Sequence, residues 1–537
     1  MNKVFNNDNM RRYVHMALSR QIKSMEEQGM SKEEIQAMID ASIKAYSELQ
    51  LQEALENDYF VLDPGEETYA YGVLIDFTEG KSSPDLKRIG NMELHRTLPV
   101  QSQYKGCVWD YVNQEILYYL NPENWNLAVN DEVHGVQKTA EEVASDRNIP
   151  SYGTRIETPK FYASSKVLAT DGAGHTTMAK VMFSTIKLNA SYIEIPRQVT
   201  DFRPCAVGDQ EFSDGFELLC TTASRGGYCT VKNDGSTCGN SKYPVTNVDR
   251  ATAREWAHNA NTNLMCYEYY KWLFYWAFVI EYATLNSHKP VNNELDENGF
   301  HQGGLGGGLT NFVESNGISL QDTTGKDKCR YIGVTNELGN GTGELDVPTD
   351  TGLTKTGHPN RYRGFECPFG DIYLVLDGFL GTTVKDSDDN DIAERYFTCA
   401  NPALFGDELP STYDDVSAYE NNGWRLAFED GSIANSYARK GYDEGDAMYM
   451  SIGNTGDLFA QKWYYDEDGE YNRFFVNHWY PVDGGDKTLL YVGSYAYYGA
   501  ADDVGLGYFS ADADLSGADY HLGFRCFNII QDDGTVI

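Results

Sequence analysis

Tyr491-Val-Gly-Ser-Tyr-Ala-Tyr-Tyr-Gly-Ala-Ala-Asp-Asp503, continued by Gly505-Leu-Gly-Tyr-Phe-Ser510 and closed by His521-Leu-Gly-Phe-Arg-Cys-Phe527, is the stretch on which the reading of this chain turns. Two short apolar runs, Leu489–Val492 and Leu522–Ile530, have the look of strands and bracket a segment of Tyr, Asp, Ser, Gly and Ala. Small residues let the backbone turn freely. Tyr offers rigid amphipathic contact area at low entropic cost, and Ser, Gly and Asp add adaptable hydrogen bonding, as in antibody paratopes. The segment therefore reads as a set of binding loops. The chain carries 38 Tyr, so composition leaves open a second reading, an irregular loop region that is merely Tyr-rich.

With 537 residues the chain is too long for one ordinary domain. Its 43 basic and 80 acidic residues give a formal net charge of -37. That argues against nucleic acid and anionic membrane surfaces as partners. No run of 18 or more apolar residues occurs, so no spanning helix and no membrane insertion are expected. The start lacks a charged segment followed by an apolar one, which predicts assembly in a reducing cytoplasm. The ten Cys form no CxxC pair and no zinc spacing and read as reduced, buried thiols. A bridge among Cys220, Cys229 and Cys238, spaced nine apart, is the alternative.

Residues 9–57 read as two amphipathic helices. Met10, Val14, Leu18, Ile22 and Met25 recur at helical spacing, Gly29 stops the first helix, and Ser31 with Glu34 forms a capping box for the second. The expectation is a helical stalk or anchor over 1–57, the alternative being a hairpin packed on the next domain. Residues 58–205 read as strands and turns, including Tyr69–Asp76, Gly106–Asp110, Tyr118–Leu120 and Arg155–Pro159. Residues 252–286 read as one strong helix capped by Thr252, with Trp272–Ile280 apolar nearly all round and hence buried. The glycines at 303, 304 and 306–308 follow a helix and match no phosphate-binding pattern, so they predict a tight loop. Beyond residue 320 short strands and turns alternate, among them 370–378, 423–425 and 461–465.

Four blocks carry a resemblance. They are Arg88-Ile-Gly-Asn91 with Leu94-His-Arg96, Leu98-Pro99 and Gly106-Cys107; Phe278–Ser287 leading to His301-Gln-Gly-Gly-Leu-Gly306; Tyr362-Arg-Gly364 with Pro368-Phe-Gly370 and Asp377-Gly378; and Gly493-Ser-Tyr495 closing at Leu522-Gly-Phe-Arg525. In this order, over about residues 69–530, the chain resembles the phage and diversity-generating-retroelement target proteins, whose C-terminal domain has a C-type-lectin-like (formylglycine-generating-enzyme-like) fold. Taken with the resemblance, the chain reads as α+β: the helical stalk over 1–57, an addition to a bare ligand-binding domain, the β-rich part over 58–205, and a lectin-like ligand-binding domain over 206–537. That domain would have short twisted antiparallel sheets and one buried helix. It also implies a display face formed by Tyr495, Tyr497, Tyr498, Asp502, Asp503, Tyr508, Asp519 and Tyr520. The implied partners are a host surface glycan or protein and, through the N-terminal segment, other virion proteins, in a homotrimer on the virion surface.

The same fold hosts enzymes, and the residues argue against their chemistry. The last third holds only Cys367, Cys399 and Cys526, widely spaced, and no close Cys pair. The ten His are isolated, and no Gly-x-Ser-x-Gly elbow occurs. Acidic pairs such as Asp388-Asp389 and Asp502-Asp503 read as solvated turn carboxylates rather than glycosidase groups. The runs 386–391 and 466–469 are candidate calcium turns, but Phe397 stands where the first would need Glu. No catalytic residue, metal or cofactor is expected. The leading expectation is non-covalent binding of a host ligand by a fibre protein of a tailed phage. A purely structural head-fibre or capsid-decorating protein and a capsule depolymerase are the alternatives.

Overall fold

A computed structural model describes residues 61–76, 85–130, 136–147, 149, 151–170, 176–202, 248–308, 334–343, 345–348, 354–357, 360–370, 373–385, 391–408, 423–427, 445–452, 456–463, 478–480, 488–492, 505–511, 513–518 and 522–537. Glu66–Ile537 form one compact unit, built on three main sheets. The first runs in the order Asp85–Gly90, Ala70–Asp76, Thr176–Ser184, Phe161–Thr170 and Ile193–Ile195, all antiparallel. The second runs Asn263–Leu264, Cys526–Ile529, Gln198–Asp201, Tyr152–Thr158, Lys105–Asp110, Glu115–Asn121 and Asn124–Ala128, again antiparallel throughout. The third, of nine strands, is arranged about the long strand Tyr373–Lys385. Asp391–Cys399 and Thr488–Val492 flank that strand, and Leu522–Gly523 runs parallel to its start.

At the centre lies a helical run over Tyr267–Tyr282. Its middle, Lys271–Trp276, is π-helical, and Ala283 closes it in the left-handed conformation (φ 51°), its N–H bonded to the Val279 carbonyl. Aromatic residues are mediocre helix formers, so burial rather than propensity holds this run together. Every residue from Trp272 to Ile280 is at most 1% exposed. Its rings reach all three sheets. Trp272 meets Phe183 of the first (centroids 6.3 Å apart), Tyr269 meets Phe527 of the second (5.4 Å), and Tyr267 meets Phe379 of the third (5.5 Å). The one cation in it, Lys271, is fully buried and neutralised by Asp457 at 2.7 Å and Glu268 at 2.8 Å.

The expected α+β class is corrected. Among the described residues 39% are strand and 20% helical, and the longest uninterrupted α-helix is the ten residues Arg250–Asn259. The chain is β-rich. The helical stalk expected over 1–57 lies outside the described residues and is not shown. The strands on either side of residue 205 interleave in one sheet, because Gln198–Asp201 is paired to Cys526–Ile529, so that boundary falls inside a single unit. The helix expected over 252–286 is two helices. The first is capped by Asp249, which accepts from the Thr252 N–H, not by Thr252. Asn261 then turns the chain with φ 55°, and Asn263–Leu264 joins the second sheet before the aromatic run begins.

The five described cysteines, Cys107, Cys266, Cys367, Cys399 and Cys526, are buried and in no disulfide. Burial pushes the Cys399 thiol up to about 11, which keeps it protonated and unreactive. The Cys220, Cys229 and Cys238 trio lies outside the described residues.

One buried polar node ties the ends of the unit together. The Asp201 carboxylate accepts from Arg155 Nε at 2.8 Å, from the Tyr111 hydroxyl at 2.8 Å and from the Cys526 N–H at 3.1 Å. The Asp201 carbonyl accepts from Arg525 Nη1 at 2.8 Å. Arg155 also donates to the side chains of Asn528 and Thr262. Arg155, Asp201 and Arg525 are all fully buried. Removing one partner of such a pair strands the other charge, whereas replacing both with apolar groups is tolerated far better. Asp201→Ala is therefore expected to destabilise the fold by ~3–5 kcal/mol. The double change Arg155→Met with Asp201→Leu should recover a substantial part of the loss, both read as shifts of the chemical-denaturation midpoint.

Candidate functional site

The predicted contact segment is framed by core strands. Tyr491 and Val492 pair with Ser510 and Phe509, so residues 493–504 leave and rejoin the third sheet on neighbouring strands. The rejoining end is deeply buried, with Leu506 at 0% and Phe509 at 1% exposure. Of the eight predicted face residues, Tyr495, Tyr497, Tyr498, Asp502, Asp503, Asp519 and Tyr520 lie outside the described residues. Tyr508 is described and does not belong to an open face. It is 5% exposed, packs in a core cluster with Val375 and Phe524, and sets its hydroxyl 3.3 Å from that of Tyr373. It follows Gly505-Leu-Gly directly into a strand, and position in the sheet outweighs its polar tip. Shortly before Asp519 in the chain, the turn around Asp514 is described. Its carboxylate accepts from the Ser516 N–H at 2.8 Å, while Leu515 is anchored on the core. The acidic runs 386–390 and 466–469 also lie outside the described residues.

Three of the four sequence blocks meet at one buried carboxylate, Glu281, which is 3% exposed. Arg363 forks onto it through Nη2 and Nε, the latter at 3.0 Å, and the Tyr362 hydroxyl donates at 3.2 Å. His301 Nε2 lies 3.5 Å away. Arg88 donates to the carbonyls of Glu281 at 2.9 Å and His301 at 2.8 Å. The guanidinium groups of Arg88 and Arg96 lie 4.8 and 5.4 Å from the Phe300 ring centre. Bidentate pairing of this kind fixes orientation as well as charge. The knot clamps the end of the aromatic helix to the glycine loop, and its carboxylate is already engaged by three donors. The sequence missed this grouping. Its signal was a single Glu in an apolar run, with an Arg just past the strand residue Tyr362.

The loop from 296 to 308 is tight, as its glycines predict. Asp296 Oδ1 accepts from the N–H groups of Asn298 and Phe300, each at 2.9 Å, and Oδ2 from Gln302 at 3.1 Å. Gly304 and Gly306 then donate to the carbonyls of Pro290 and Lys289. A Cβ on Gly304 would sit 2.6 Å from the Lys289 carbonyl oxygen and 2.8 Å from that of Ser287. Both are backbone atoms, so the loop itself would have to move. Gly304→Ala is expected to cost about 1–3 kcal/mol, read as a lowered unfolding midpoint.

His95, on the short helix Met92–Thr97 capped by Asn91, is 3% exposed and bonded through Nε2 to the Ile89 carbonyl at 3.0 Å. Its ring meets Tyr71 and Phe300 edge-on. Burial holds the imidazole down at about 4, the Ile89 bond opposing and the Arg88 charge reinforcing the shift. Burial also lowers His301, against the pull of Glu281. The folded His95 pKa lies below the unfolded value of about 6.5, so the unfolded chain takes up a proton first as pH falls. The His95 share of stability is intact above about pH 6.5, declines toward pH 4 and levels off below, by at most ~3 kcal/mol. His95→Phe is expected to make the loss of thermal stability between pH 7 and pH 4 shallower than in the parent chain.

Among the described residues no group of three or more His, Cys, Asp or Glu could hold a metal ion, and no helix is long and apolar enough to cross a membrane. No protein-family model matches the chain, and no curated protein matches it.

Proposed function

We propose that this chain is a virion surface protein of a tailed phage that binds a host cell-surface ligand, a glycan or a protein, without covalent chemistry. The observation that carries the reading is the Tyr-, Asp-, Ser- and Gly-rich stretch 493–504 between two strands that pair with each other, the second of them buried. Binding residues sit best on connections held by a rigid scaffold. Tyr495, Tyr497 and Tyr498 supply the aromatic contacts, and Asp502, Asp503, Asp519 and Tyr520 complete the hydrogen bonds. Tyr508, being buried, is not part of this contact set. The formal charge of -37 suits a solvent-facing particle component and disfavours nucleic acid. Display in several copies, as a homotrimer, would multiply a weak single-site affinity, and the N-terminal segment is assigned to attachment on the particle.

Replacing Tyr495, Tyr497 and Tyr498 together by Ala is expected to lower host adsorption at least tenfold while the unfolding midpoint stays unchanged. Aromatic anchors of this kind each contribute about 2 kcal/mol or more when truncated. Adsorption at the parental rate would remove the segment from the binding role. Failure of the purified parent chain to bind host cells at all would favour a purely structural role on the particle.

A further inference from the structure

The outer face of the second sheet carries a satellite cluster apart from the main core. Trp109, Tyr111 and Ile530 are buried there, with Ile116, Tyr119 and Val536 packed against them. A bulge makes this face. Trp109 pairs with Ile116 while Cys107 pairs with Tyr119, the register shifting between Val108 and Trp109. Strict alternation would send residues 116 and 119 to opposite faces. The C-terminal hairpin lies alongside, bridged at Ile530 and Val536 and turned by Gly534 at φ 85°. Between the hairpin and the strand Glu115–Asn121 opens a groove of about 410 Å³.

Its lining has a definite chemistry. Aromatic and aliphatic groups form one part, and Gln114, Glu115 and Arg197 the other. Arg197 is paired with Glu157, which also holds the Tyr119 hydroxyl, so the Arg197 charge is compensated. Glu115 is exposed and leaves the rim negative in an already acidic chain. The indole N–H of Trp109, a residue fully buried in the lining, has no acceptor among the described residues. Orphaned buried donors are rare and costly.

We propose that this groove is a binding site for a neutral saccharide. The volume is that of a small-ligand site. A pyranose ring presents an apolar face of C–H groups and a rim of hydroxyls, which matches a lining of aromatic and aliphatic groups beside the planar polar Gln114, Glu115 and Arg197. A negative rim excludes anionic ligands. The sugar ring lies against the apolar lining around Tyr119, and its hydroxyls bond to Arg197, Glu115 and Gln114. None of the described lining residues belongs to 493–504, and the proposal does not depend on the role of that stretch.

The test titrates the full chain with four neutral disaccharides, maltose, cellobiose, lactose and chitobiose, by saturation-transfer NMR and calorimetry. At least one is expected to bind with a Kd on the order of 1 mM. Glu115→Ala, at an exposed position, should weaken it at least threefold, and Val536→Trp, which fills the groove from the hairpin side, should abolish it. Tyr119→Ala should weaken it at least tenfold, and the Glu115 variant keeps the test standing if that protein does not fold. The triple Tyr495, Tyr497 and Tyr498 variant should bind the disaccharide unchanged. The proposal is overturned if none of the four binds below about 20 mM, if binding survives Val536→Trp, or if binding is lost in the triple variant instead.

Discussion

A fully buried carboxylate, Asp201, sets the terms for the rest of this fold. A charge taken out of water is tolerable only when its lone pairs are met by donors of good geometry. Asp201 is met by Arg155, Tyr111 and the Cys526 N–H, while its own carbonyl receives Arg525. Those donors come from three separate regions of the chain, around residues 111, 155 and 526. None of them can be supplied locally, so the strand that ends the chain is part of the core and not an appendage to it. The Arg155 contacts to Thr262 and Asn528 extend the same constraint to the turn between the two helices. The architecture is accordingly dominated by non-local pairing, which closes late and slowly in folding.

Much of the strand pattern could be read from the chain, and the reason is local. Runs such as Ala70–Asp76, Lys105–Asp110 and Tyr152–Thr158 are short, rich in apolar and β-forming residues, and bounded by turn formers. Which strands pair is another matter. The union of Gln198–Asp201 with Cys526–Ile529 is decided by contacts more than 320 residues apart, beyond any window of periodicity. The break between the helices was visible in principle, because Asn259-Ala-Asn-Thr-Asn263 is a cluster of turn formers inside an otherwise helical pattern. The aromatic density that follows drew the two segments into one. The short helix at Met92–Thr97 likewise carried its signal, an Asn cap followed by an acidic first turn.

Tyrosine explains why Tyr508 reads as part of a contact face although it lies in the core. A Tyr count of 38 suggests a contact surface, yet many of these rings are structural. Tyr71, Tyr111 and Tyr270 are buried, and each gives its hydroxyl a partner: the Gln101 side chain, Asp201 and the Leu506 carbonyl. Tyr serves a core as well as a paratope, because its body is apolar and its tip needs only one hydrogen bond. Composition cannot separate the two uses; pairing can. Tyr508 precedes a residue paired to Val492, and that placement puts it inside. The case for a contact surface therefore rests on 495–503 and 519–520, which lie outside the described residues.

The same C-terminal stretch adjoins both proposed binding regions, which raises the question of whether they communicate. It follows the 493–504 segment through Phe509–Ser510 and Leu522–Gly523, and continues from Cys526–Ile529 into the hairpin beside the groove. Coupling between sites requires an element with two arrangements that both ligands bias. The connecting strand is the element least able to have two. The Cys526 N–H is fixed on Asp201, Arg525 is held by the carbonyls of Asp201 and Glu366, and Phe527 is fully buried against Tyr269. Shifting that strand would strand a buried carboxylate at a cost of several kcal/mol, more than the differential affinity a weakly held sugar has to offer. The strand Cys526–Ile529 is therefore not the element that would couple the two proposed regions.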